Sequence, residues 1–272
     1  MGVPKITTNP KAVREIVQAD GAAILRGWGT GEADAAALPR AIFGEDMVFS
    51  PAVAAVGGVD QARTLAGTKF DQSHPLFAHI DGTAMGANRP DYFFLLCAVA
   101  SDDGGESFLI DAVELAADLM KDPVGSKLSH LTIEQTESPD KPFQAPILWP
   151  APSGRITAYR SRSMRAVEGA SDAAEQAELI AYWKTNVDRV SASAPRFKLA
   201  PGDAVCMDNF RMMHGREPYT DPNRLLYRVW VWTTAGLPVP PSLAVSNPPA
   251  SAFQGEDEKI QQALAGMRTG RR

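Results

Sequence analysis

His79, Ile80 and Asp81 place an imidazole and a carboxylate two residues apart. On an extended segment successive side chains alternate between faces, so both groups would point the same way and could share one metal ion. The pattern is common, and taken alone it reads first as a surface turn at Asp81, Gly82 and Thr83. His214 shifts the balance. It follows an apolar stretch from Ala204 to Asp208, far along the chain, and would bring a second imidazole from a distant strand. Two histidines and one carboxylate on one face of an iron(II) ion leave positions open for exchangeable ligands and oxygen. The chain has only four histidines. His74 precedes a proline and His130 lies between Leu128 and Leu131, so neither is expected to be a ligand.

Chemistry at such a centre with an anionic cosubstrate needs a fixed, always charged, bidentate acceptor for a buried carboxylate, which favours arginine over lysine. Arg224 and Arg228 stand an even number of residues apart in the apolar run after His214, and even spacing puts both on one strand face. A lone arginine there would ordinarily make a rim salt bridge. Two facing inward need an anionic partner. Arg160 and Arg162 alternate with Tyr159 and Ser161, so only one of these pairs can face a pocket. If the arginines do, they favour a substrate bearing a carboxylate, sulfonate or phosphate.

The elements that must position these groups are legible in outline. Lys11 to Asp20 and Gly31 to Phe43 read as helices, with a short strand at Ala22 to Leu25 between them. Gly57 to Phe77 is loop-like. Asp91 to Val99 is too apolar for a half-exposed strand and reads as buried on both faces. A turn at Ser101 to Gly105 leads to the strand-like segment from Ser107 to Asp111 and then to a short helix, Ala112 to Met120. Pro139 to Gly154 is proline-rich and reads as a long loop, a candidate lid or binding wall together with Leu76 to Ala87. Ile156 to Arg162 is strand-like. Ser171 to Val190 is the clearest helix, with Ser171 as N-cap and a stripe at Ala173, Ala177, Ile180, Trp183 or Lys184, and Val187. Strands at Ala204 to Asp208 and Leu225 to Thr233 follow, then a proline-rich tail with a helix at Glu256 to Met267. Strands on either side of an inserted helix favour a rolled antiparallel sheet over a parallel one.

A chain of 272 residues with 44% hydrophobic and 22% charged residues can bury a sizeable core. We expect a single domain over residues 1–272, its core about residues 76–236, with helical additions at both ends. The net charge of −5 gives no footprint for nucleic acid. No apolar run approaches the length of a membrane span, and the first residues lack a signal-peptide pattern. Cys97 and Cys206 sit inside apolar runs and read as buried thiols of a reducing, cytoplasmic compartment.

Three segments taken together resemble the taurine dioxygenase superfamily of Fe(II)- and 2-oxoglutarate-dependent oxygenases, especially its γ-butyrobetaine hydroxylase and clavaminate synthase branch. His79 to Gly82 resembles its His-x-Asp motif. Gly104 to Ser107, with Ile110 and Asp111, resembles its Gly-Gly-Asp-Ser/Thr segment, although Glu106 stands where aspartate is commoner. Pro201 to Asp208, continuing to His214, Gly215 and Arg216, resembles its distal-histidine block. The matching order runs from about Leu76 to Trp232.

The resemblance implies a mainly β fold with flanking helices, a double-stranded β-helix or jelly roll of cupin-like form. It implies iron held by His79, Asp81 and His214, and 2-oxoglutarate held at its far carboxylate by Arg224 and Ser107. Arg228 would lie near the other carboxylate and the substrate, and Arg216 would be structural. The implied reaction takes O2 and hydroxylates a small molecule, a free amino acid or similar anionic metabolite, with release of succinate and CO2. Asp81 speaks against halogenation, because the related halogenases replace this carboxylate with a small residue. Desaturation, ring closure and epimerisation stay open. Two rivals are a cupin-like metalloenzyme that does not use 2-oxoglutarate, for which Arg224 and Ser107 would have no purpose, and a non-catalytic jelly-roll binding protein, which would not need the full ligand set.

Overall fold

The structure is a computed structural model and describes residues 2–50, 52–59, 61, 71–83, 89–135, 144–150, 156–158 and 164–234. In chain order the elements are β1 (Lys5–Thr7), α1 (Pro10–Asp20), β2 (Ala22–Leu25), α2 (Glu32–Phe43), β3 (Met47–Phe49), β4 (Ala54–Gly57), β5 (Leu76–His79), β6 (Tyr92–Val99), β7 (Ser107–Asp111), α3 (Ala112–Leu119), β8 (Ile133–Glu134), β9 (Gln144–Ala145), β10 (Leu148–Pro150), β11 (Ile156–Ala158), α4 (Ala173–Ser193), β12 (Ala204–Asp208), β13 (Met212–Arg216) and β14 (Leu225–Thr233).

Two sheets carry the fold. The larger has the order β1-β2-β12-β6-β14-β3 with β4 also paired to β14, and the smaller has the order β5-β13-β7. Every pairing is antiparallel except β1 with β2, which α1 connects as a small parallel unit. The period-2 alternation of each strand sets the layers. From β6, Tyr92, Phe94 and Leu96 pack with Val13, Val17, Leu38 and Phe43 of α1 and α2, whereas Phe93 and Cys97 join Leu109, Val205, Met207 and Leu226 in the space between the sheets. The outer face of the small sheet buries Phe108, Ile110 and Met213 against Leu115 of α3 and Leu179, Ile180, Trp183 and Val187 of α4. β6 is therefore covered on both faces, as its uninterrupted apolar sequence requires.

Several sequence expectations are corrected. α4 begins at Ala173 with Asp172 as its cap residue, and its buried stripe is Gln176, Leu179, Ile180, Trp183 and Val187. Gln176 is buried because its amide is spent locally: it donates to Asp172 Oδ1 at 2.7 Å and accepts from the Val167 amide at 2.7 Å. A polar residue in an apolar stripe is invisible to a hydrophobicity pattern. The proline-rich stretch contains two strands, β9 paired to β8 and β10 paired to β11, held by ladder bonds that leave no local periodicity. The loop-like reading of Gly57 to Phe77 overlaps the ends of β4 and β5. The stretch after His214 hid a further strand, since His214 is the central residue of β13 rather than a residue beyond a strand. The helix expected at Glu256 to Met267, Tyr159 to Arg162, and residues 84–87, 139–143 and 151–154 of the two expected binding-wall loops lie outside the described residues. No helix among the described residues is long and apolar enough to cross a membrane.

Candidate metal centre

The β5–β13 ladder pairs His79 directly with His214, and Asp81 follows two residues after the end of β5. Ligand atoms of His79, Asp81 and His214 all lie within 4.8 Å of one another. His79 Nε2 is 3.5 Å and His214 Nε2 is 3.6 Å from Asp81 Oδ1, so both imidazoles face the same carboxylate oxygen. His74 and His130 are not part of this cluster.

Each imidazole is oriented differently. His79 Nδ1 lies 2.9 Å from the Phe77 carbonyl oxygen, a contact that turns the ring with Nε2 toward Asp81. His214 is instead stacked on Phe93, with ring centroids 4.4 Å apart and planes 20° from parallel. Burial and the neighbouring His79 push the His214 imidazole down to about 3, against the opposing pull of Asp81, so it is neutral near pH 7. Burial tends to raise the Asp81 carboxyl, but Arg228, His79 and His214 outweigh it and hold the group well below the usual carboxylate range. A neutral imidazole and an ionised carboxylate are the forms that bind a metal, so the donor set fits a divalent iron ion.

Two residues around Asp81, Asn209 and Trp230, were not foreseen. Asn209 clamps its backbone, accepting from the Asp81 amide and donating to its carbonyl, both at 2.9 Å. Trp230 Nε1 donates to Asp81 Oδ2 at 2.7 Å, and Arg228 Nη1 lies 3.5 Å from the same oxygen. The only available signal was that Trp230 shares the strand face of Arg228, two residues away.

Between the sheets lies a cavity of about 120 Å³ that opens to solvent. His79, Asp81 and His214 line it, together with Ser107, Arg216, Arg224 and Arg228 and an apolar wall that includes Phe93, Leu95, Leu109 and Met207. Arg224 and Arg228 thus reach the same space, as their spacing requires, although Arg224 precedes β14 rather than lying within it. Arg224 is buried and in no ion pair among the described residues; its guanidinium sits 4.6 Å over the Tyr219 ring, with a long 3.5 Å contact from Nη2 to the Gly105 carbonyl. Ser107 is buried on the same wall, opposite Arg216 across β7 and β13. Arg216 donates to the carbonyls of Gln72 and Glu217, both at 2.9 Å, which anchors the chain on either side of the cavity. Arg160 and Arg162 lie outside the described residues.

The Gly104-Gly105 turn has a steric reason. Both glycines have positive φ, and a Cβ on Gly104 would come 2.0 Å from the Pro218 carbonyl oxygen while one on Gly105 would come 3.0 Å from Arg224 Nε. Close passage of this turn allows Ser107 and Arg224 to line one cavity.

A family model, taurine catabolism dioxygenase TauD, TfdA family, matches residues 5–230. No curated protein matches the chain. Asparagine oxygenase in complex with Fe(II), 2S,3S-3-hydroxyasparagine and succinate is similar to the chain with a TM-score of 0.60 and 21% identity, covering 82% of this chain and 78% of that one. A taurine dioxygenase from Burkholderia xenovorans has a TM-score of 0.66 and 19% identity over 93% of this chain and 96% of its own. The non-heme iron oxygenase OrfP in complex with Fe and alpha-ketoglutaric acid has a TM-score of 0.55 and 16% identity over 82% and 79%.

Proposed function

The chain belongs to the TauD, TfdA family, and from that membership we propose that it hydroxylates an unactivated C–H bond of a free amino acid or another small anionic metabolite, with release of succinate and CO2. It is a 2-oxoglutarate-dependent dioxygenase that uses Fe(II) and O2. In this reading residues 1–272 form one domain, and its two facing sheets are the halves of a double-stranded β-helix. Buried free thiols at Cys97 and Cys206 fit a reducing, cytoplasmic setting.

His79 and His214, each through Nε2, and Asp81 through Oδ1 hold the iron. Arg224 and the Ser107 hydroxyl bind the far carboxylate of 2-oxoglutarate, and Arg228 lies near its other carboxylate and the substrate. When bound, iron(II) and 2-oxoglutarate supply the oxygen-activating chemistry. The chain supplies position and dryness. Arg224, desolvated over Tyr219, offers a fixed charge to an incoming carboxylate. The apolar wall keeps water from the reacting centre. The molecules in complex with two of the similar structures, 3-hydroxyasparagine and (3S)-hydroxy-L-Arg, support an amino-acid-sized substrate. An anionic group on it would find Arg228 and, if they face inward, Arg160 and Arg162.

The observation that carries this reading is a buried arginine, in no ion pair among the described residues, facing the cavity that holds the two-histidine, one-carboxylate cluster. The test is succinate formation from 2-oxoglutarate by anaerobically iron-loaded protein exposed to oxygen, across a panel of amino acids and small anions. Succinate that rises with one member is the expected result. Bound iron with no succinate and no spectral response to 2-oxoglutarate would overturn it.

A further inference from the structure

The two oxygens of Asp81 serve different partners. Oδ1 faces both imidazoles, at 3.5 and 3.6 Å. Oδ2 accepts the Trp230 indole N–H at 2.7 Å, while the Arg228 contact at 3.5 Å is too long to orient it. Because Asn209 already clamps the Asp81 backbone on both its N–H and C=O, the remaining freedom is rotation of the carboxylate itself. The indole N–H opposes that rotation.

Trp230 suits the task chemically. An indole has one N–H and no lone pair to offer, so it can hold an oxygen without competing for a metal. Its position is supported from both sides: the Arg228 guanidinium sits 4.5 Å over its ring, and Trp232 meets it edge-on with centroids 6.4 Å apart. A carboxylate beside a metal with open positions can bind through one oxygen or through both. Binding through both would occupy a position that exchangeable ligands need.

We propose that Trp230 is a positioning residue that makes Asp81 a single-oxygen metal ligand: its N–H captures Oδ2, leaving Oδ1 alone to reach the ion. This rests on the ligand role proposed for Asp81. Groups that hold a ligand from outside the coordination sphere change metal affinity by about 10–100-fold when removed.

The test uses cobalt(II) as a spectroscopic substitute, titrated without oxygen into the metal-free protein and followed by visible absorption, then by its response to added 2-oxoglutarate. Trp230→Phe keeps a ring and loses the N–H. It is expected to bind cobalt about tenfold more weakly, to need more 2-oxoglutarate for half of the spectral change, and to melt with the wild type when metal-free. Trp230→Gln, which restores an N–H, should recover part of the affinity. Unchanged cobalt and 2-oxoglutarate binding in Trp230→Phe would overturn the proposal, as would a metal-free melting point lowered in both variants with no recovery by glutamine. Wild-type protein that takes up no cobalt, or Asp81→Ala that binds it as tightly, would instead remove the ligand assignment on which the proposal rests.

Discussion

His79 and His214 are direct partners across adjacent antiparallel strands, their ring centroids 4.4 Å apart. The ladder of β5 and β13 therefore sets their separation, and the cluster is built into the backbone before any ion arrives. Preorganisation of this kind puts the ligands in place at no further conformational cost.

Asp81→Gly removes the carboxylate from that arrangement and should abolish hydroxylation, through weaker iron binding and an additional open position. Turnover assays with saturating iron check this. Near-normal rates would show that Asp81 is not a ligand.

Metal binding should also appear as stability. An ion that binds the folded chain alone adds about 2.7 kcal/mol at a concentration one hundred times its Kd. Thermal melts with a chelator and with iron(II) under nitrogen should therefore differ by several degrees, and the His214→Ala protein should lose that difference.

Arg224→Ala should raise the KM for 2-oxoglutarate far more than that for the second substrate. Loss of one member of a buried, hydrogen-bonded charge pair costs about 2–5 kcal/mol, which is on the order of thirtyfold or more in affinity. An equal rise for both substrates would take Arg224 out of the carboxylate clamp.

Asp103 fastens the turn before Ser107 to the loop before Arg224. Its carboxylate accepts the Thr220 amide at 3.1 Å, the Thr220 hydroxyl at 2.5 Å and the Asp221 amide at 3.0 Å. The Thr220 hydroxyl, then the backbone amides, hold the Asp103 carboxyl down at about 2, against an ordinary 3.8. A folded-state value below the unfolded one means stability that is present above about pH 4 and lost as the pH falls from there towards 2. Asp103→Asn should be less stable than the wild type near neutrality, and denaturant midpoints should converge with acid over that window. Midpoints that stay parallel would show that charge on Asp103 contributes nothing to the clasp.

Gly215 separates the ligand His214 from the anchor Arg216. A Cβ there would lie 2.2 Å from the Phe108 ring and 2.7 Å from the Leu76 carbonyl oxygen. Gly215→Ala must push β7 and β5 away from β13, and should cost about 1–3 kcal/mol or more. Urea denaturation measures this, and a loss below half a kilocalorie would show that the strands yield freely.

The residues that gather at the cavity were readable because the types proposed for the site are constrained by chemistry. In the proposed roles His79, Asp81, His214 and Arg224 each have to be that residue or a close equivalent, and even spacing suggested a common face for His79 with Asp81 and for Arg224 with Arg228. The strands β6, β12 and β14 were readable from apolar runs. What escaped shared one physical cause, dependence on a distant partner. Trp230 and Asn209 look like ordinary strand and turn residues until Asp81 is placed beside them, and Gln176 looks misplaced until Val167 and Asp172 satisfy its amide. The short strands β9 and β10 exist only through their partners.

The strand order carries a consequence for how the chain comes together. Apart from β1 with β2, every strand from β2 to β7 finds its ladder partner only in β12, β13 or β14. β5 and β7 flank β13 without touching each other in the ladder, and β6 lies between β12 and β14. During synthesis, which adds about 5–20 residues each second, β2 to β7 must wait for these partners until residues 204–233 have been made. Residues 204–233 then act as a zipper that assembles both sheets and the ligand cluster in one late, long-range event. A chain cut short before β12 should lack both main sheets, and should be a target for chaperones rather than a weak enzyme.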